Sequence, residues 1–195
     1  MKKNLKKNND LTPYGIDKFA KIPTYVKVGF LKFFLIGAIY YYLFNAIEAN
    51  LIGTGPDAGS IEVMILIIII TGLILGLIQE FIINNAAKAF LKDNEDIRKY
   101  IFVKKTKLSS LFLNLLYGII IMAILIPINS ILVRSNITIT NLIALPFTLL
   151  GGLEPYKGTC PFTFGLIYCV IDYVFIFSKY GIIKLIEKKK MAKGE

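Results

Sequence analysis

The chain has 195 residues, of which 55% are hydrophobic and only 18% charged, with a formal net charge of +10. A soluble domain is nearer 45–50% apolar with about a quarter of its residues charged, so this composition, with a mean hydropathy of +0.63, points to a membrane protein. There is no histidine, which removes the commonest metal ligand and general base; the two cysteines, Cys160 and Cys169, would sit about 13 Å apart along a helix, too far to bridge.

In chain order, residues 1–27 form a basic cytoplasmic or interfacial segment. Its start, MKKNLKKNND, imitates a signal peptide, but the apolar block that follows is about 20 residues long, beyond the usual 7–15 of a signal sequence. It is read as an uncleaved span over 28–47. Three more stretches are long and apolar enough to cross a bilayer, at about 61–83, 108–132 and 162–183. Pro127 is expected to end or kink the third, because proline lacks the donor and clashes with the preceding turn. Tyr40, Tyr41 and Tyr42 read as an aromatic belt at the outer end of the first.

Residues 133–161 form an outer cap. Within it, 137–155 is apolar but too short to span; Pro146, Gly151, Gly152, Pro155 and Pro161 suggest a packed, shaped cap lying on the interface, with a re-entrant segment as the alternative. A basic tail, 184–195, closes the chain. The expectation is an all-α integral membrane protein: a four-transmembrane-helix bundle over 28–183 with an outer-side loop holding that short interfacial or re-entrant segment.

Charge sets the expected orientation. Lys and Arg number eight in residues 1–32, seven in 88–107 and six from Lys179 onward, against Arg134 and Lys157 elsewhere. This asymmetry predicts both termini on the cytoplasmic side of the cell membrane. The segment IDKFAKIPTYVKV interleaves lysine with apolar residues, as suits anionic lipid on that side. No folded reader domain accompanies the basic stretches, so nucleic acid is not an expected partner.

Small and polar residues mark the faces where membrane helices meet. Gly72, Gly76, Glu80 and Asn84 recur every fourth residue in the second span. Ser110, Asn114 and Gly118 do so in the third, with Tyr117 beside them, and Gly165, Cys169 and Asp172 follow a spacing of four and three in the fourth. Gly72, Gly76, Gly118 and Gly165 are the expected helix-packing positions. Counting from the nearest flanking lysines, Lys32, Glu80, Asn114 and Asp172 all fall roughly 8–12 Å inside the basic ends of their helices. A single intramembrane polar layer is expected, with Asp172 pairing Lys32 and Glu80 close by. Its roles divide between an ion-paired lock on helix register and, with one of two carboxylates protonated, a proton or cation site.

The stretch LKFFLIGAIYYYLFNAI, residues 31–47, resembles the opening helix of the GtrA-like four-span proteins linked to lipid-carried sugars. The likeness covers that helix alone, and the long connection before the fourth span departs from the compact pattern of that family.

The reading that follows is a non-enzymatic accessory or interaction component of a membrane assembly, with no cofactor, metal or catalytic residues. Its expected partners are membrane lipids and either further copies of the chain or a membrane protein. The alternative is a small oligomeric transporter or channel that uses the intramembrane carboxylates for cation or proton coupling.

Overall fold

A computed structural model describes residues 22–52, 60–91, 95–104, 106–135 and 161–192. Four helices form the bundle. Helix α1 comprises Thr24–Phe34, a π-helical stretch Leu35–Tyr40 and Tyr41–Ile52. Helix α2 comprises Ile61–Ile78, a π-helical stretch Gln79–Ile83 and Asn84–Phe90. A single 3₁₀ turn, Ile97–Lys99, precedes α3, Lys107–Ser135, and α4 is Pro161–Ala192. All four are long and apolar enough to cross a membrane, and no strand occurs among the described residues. The chain is a polytopic four-helix membrane protein. The outer-cap segment 137–155 and Cys160 lie outside the described residues.

Helix starts follow from local chemistry. Ser60 accepts a hydrogen bond from the backbone N–H of Val63 at the start of α2, satisfying one of the free amides of a first turn. Thr106 does the same for Ser109 at the start of α3. Pro161 opens α4, where its missing donor costs nothing. Pro127, expected to end or kink the third span, does not end it: α3 runs on to Ser135. The ring is on an exposed face, and in lipid every alternative to the helix would leave more backbone groups without partners. At its other extreme α4 continues to Ala192, so residues 184–192 of the basic tail are its last turns.

Helices α2 and α3 meet backbone to backbone. A Cβ added to Gly72 would lie 2.6 Å from Ile119 Cα, and one on Gly76 would lie 2.6 Å from the Asn114 carbonyl oxygen. From the other side, one on Gly118 would press on the Gly72 carbonyl and sit 2.7 Å from Gly76 N. The second tight seam joins α1 to α4, where a Cβ on Gly165 would be 2.7 Å from Gly37 Cα. Without a hydrophobic drive between helices in lipid, such close approach is how dispersion holds them.

Tyr40, Phe44, Phe164 and Tyr168 are buried at the centre, with Phe164 stacked on Phe44 and edge-on to Tyr41. The aromatic-belt reading is corrected here for two of its three members. Tyr40 and Tyr41 are buried and only Tyr42 is exposed; the Tyr40 hydroxyl donates to the Thr71 carbonyl of α2. Outward-facing side chains such as Phe30, Leu66, Phe112 and Val170 present the apolar surface that a bilayer covers.

In α1 the buried residues Val28, Lys32, Ile36, Tyr40 and Phe44 recur every fourth position. On a regular α-helix each such step drifts by about 40°, so the row would slide off the core. A π turn, closed by i→i+5 bonds, absorbs the extra residue. The stretch Leu35–Tyr40 sits in the middle of that row and keeps it facing inward. The stretch Gln79–Ile83 does the same in α2.

Candidate functional site: a buried polar layer

The layer lies near the end of the bundle where α1 and α3 begin and α2 and α4 finish, here the basic end. Lys32 of α1 and Asp172 of α4 face each other with Nζ 2.7 Å from Oδ2, and their side chains are 1% and 0% exposed. Lys32 Nζ also donates to the Tyr100 carbonyl at 2.7 Å. The Tyr117 hydroxyl of α3 donates to the other carboxylate oxygen of Asp172. Both oxygens and the ammonium are therefore partnered. That matters because a single unpaired charge deep in a span costs about 2.5–3.5 kcal/mol even on insertion scales.

Glu80 is not part of that pair. It is held by neutral donors: its Oε2 accepts from Ser110 Oγ at 2.9 Å, Asn84 Nδ2 at 2.9 Å and Asn114 Nδ2 at 2.6 Å. Gln79 orients Asn84 through Nε2 to Oδ1 at 3.2 Å, and the Tyr168 hydroxyl lies 3.4 Å from Gln79 Oε1. The π stretch makes this possible, because it turns Gln79 and Asn84 into the interior together, each 1% exposed. The layer thus consists of two clusters, an ion pair and a carboxylate caged by amides and a hydroxyl. Among the described residues no three His, Cys, Asp or Glu side chains converge as a metal site would need.

What joins the clusters is the connection between α2 and α3. Three successive carbonyls of that connection point into the layer. Tyr100 accepts from Lys32, Ile101 from Lys179 Nζ at 2.9 Å, and Phe102 from Asn84 at 3.1 Å and Asn114 at 3.2 Å. Lys179 Nζ also lies 4.5 Å from the Phe102 ring centroid. The Phe102 ring in turn is 4.2 Å from that of Tyr117. Lys179 thus adds a second lysine beside the layer, held by a backbone carbonyl and an aromatic ring. Sequence reasoning counted one lysine against two carboxylates, and missed both Lys179 and this segment. The available signal was the apolar run YIFV inside the charged stretch DIRKYIFVKKTK.

Outside the layer, Arg98 brackets Asp96 with Nε and Nη2 (2.9 and 2.7 Å) and reaches Glu187 Oε1 of α4 at 2.5 Å. The hydrogen-bonded guanidinium holds the Asp96 carboxyl below its ordinary range, against a weaker opposing effect of burial.

Replacing Glu80 tests the cage. Glu80→Leu leaves Asn84, Ser110 and Asn114 without their shared acceptor and is expected to destabilise by about 1–3 kcal/mol. Glu80→Gln retains a carbonyl oxygen and is expected to lose less than half as much, with thermal melts in mild detergent as the readout. Equal losses would mean that the charge, not the acceptor, is what the cage requires.

No family model, no curated protein and no solved structure matches the chain.

Proposed function

We propose that this polytopic membrane protein is a non-enzymatic accessory or interaction component of a membrane assembly. One observation carries the reading: the Lys32–Asp172 pair has its ammonium and both carboxylate oxygens engaged within the molecule. A charge that is fully partnered and enclosed suits a fixed structural role, because cycling it would require breaking several bonds at once. The charge asymmetry of the sequence supports placement in the cell membrane with both termini cytoplasmic and the basic end against anionic lipid.

The test is purification of the tagged chain from native membranes in mild detergent, followed by native mass measurement. A stoichiometric foreign membrane protein is the expected product. A clean homo-oligomer with lipid alone would sink the accessory reading.

A second reading, a small oligomeric transporter or channel, draws on Glu80. Its side chain is only partly buried, and it carries a carboxylate with neutral partners at a depth where ionisable groups mark ion pathways. Cation or proton flux in proteoliposomes that Glu80→Gln abolishes, in a chain that still melts normally, would establish it.

A further inference from the structure

The segment that bridges the two clusters is bound differently from everything around it. Tyr100, Ile101 and Phe102 are 8%, 0% and 7% exposed, yet they belong to a short connection and not to a helix. Locally the segment bonds to itself, with the N–H groups of Lys99, Tyr100 and Ile101 donating to the carbonyls of Asp96 and Ile97. The hydrogen bonds from residues 100–102 to the helices are of one kind, a helix side chain donating to a segment carbonyl.

Those donors have second partners. Lys32 also holds Asp172, and Asn84 and Asn114 also hold Glu80. Lys179, half-buried at the basic end, can turn to water. The apolar contacts divide in the same way. Ile101 and Tyr100 pack with Val28, Ile83 and Ala87 in a cluster separate from the main aromatic core, and only Phe102 reaches that core. Lifting the segment would therefore leave the helix-to-helix bonds in place. Toward its outer end the segment is fastened to α4 by the Arg98–Glu187 ion pair, with side chains 33% and 41% exposed, a pair of the kind that contributes little in water, and by Lys99, whose Nζ lies 5.8 Å from the Tyr180 ring centroid.

We propose that residues 95–104 are a detachable clip over the basic end of the bundle, latched by Arg98 to Glu187, whose release admits water to the Lys32–Asp172 pair. Openings of this kind are sub-global, in which a short segment held by replaceable bonds releases as a unit while the helices stay folded.

The test uses the full chain in lipid nanodiscs on a Cys160→Ser, Cys169→Ala background, with a charged water-soluble maleimide as probe. Ile101→Cys reports the buried face of the clip and Lys104→Cys its exposed end. Ile101→Cys is expected to react at least about tenfold more slowly than Lys104→Cys, a protection of about 1.4 kcal/mol. Arg98→Ala or Glu187→Gln is expected to speed the Ile101→Cys reaction about two- to fivefold, the range an exposed ion pair supports, with the melting temperature unchanged. Equal rates at the two cysteines would overturn the proposal, because the segment would then not be seated. So would an Ile101→Cys rate indifferent to both latch variants and to Lys179→Met, because the segment would then be a fixed part of the core.

Discussion

Lys32→Leu is expected to be the most destabilising single substitution in the chain, at about 3–5 kcal/mol, because it strands Asp172 as an uncompensated buried charge. Lys32→Leu combined with Asp172→Leu should cost clearly less, since the double change removes both ions and leaves apolar side chains in their place. The Tyr117 hydroxyl and the Tyr100 carbonyl, which the pair now satisfies, would account for the remaining loss. Thermal melts of the two single variants and the double variant in the same detergent close the cycle. Losses that add, within a few tenths of a kcal/mol, would mean that the two residues act independently and that the observed contact contributes nothing to stability.

Gly118→Leu is expected to rank next. A side chain there must displace the Gly72 carbonyl and the Gly76 amide nitrogen, both backbone atoms of α2. Neither can swing away as the end of a flexible side chain could, so the helices must part along their closest seam. Overpacking of this kind typically costs about 1–3 kcal/mol. Gly118→Ala should show a smaller loss in the same direction. Gly181→Ala is the control: nothing lies within 4 Å of its added Cβ, and alanine is preferred to glycine in a helix by roughly 1 kcal/mol. A melt in which Gly118→Leu behaves like Gly181→Ala would show that the α2–α3 seam is not tight in the membrane.

The bundle was legible because its signals are collective. Four long apolar blocks and the small-residue stripes each draw on many residues, so single-residue ambiguities average out. The stripe Gly72, Gly76, Glu80, Asn84 pointed to a helix-packing face without naming its neighbour; Gly72 and Gly76 sit at the seam with α3, and there Glu80 meets Ser110 and Asn114. The site was legible in its members more than in its grouping. Depth along each helix can be counted from the flanking lysines, whereas rotation about the axis cannot, and rotation separates Glu80 from Lys32. Tyr40 was misread for a related reason: next to Tyr41 and Tyr42 it looks like part of an interfacial cluster, but the π stretch turns it inward. Lys179 and residues 100–102 were missed because their contacts are non-local, joining positions 78 apart in the chain.

The two π turns have a consequence for how the length of this chain can change. Each is an α-helix carrying one surplus residue, so removing a residue from Leu35–Tyr40 or from Gln79–Ile83 can revert that turn to ordinary α geometry. The flanking turns on both sides would keep the faces they now show to the core. The same deletion a few turns away would rotate everything beyond it by about 100° and expose half of the buried row to lipid. Single-residue deletions should therefore survive in these two windows and fail elsewhere in α1 and α2, which marks them as the points where an ancestral helix could have gained a residue without losing its fold.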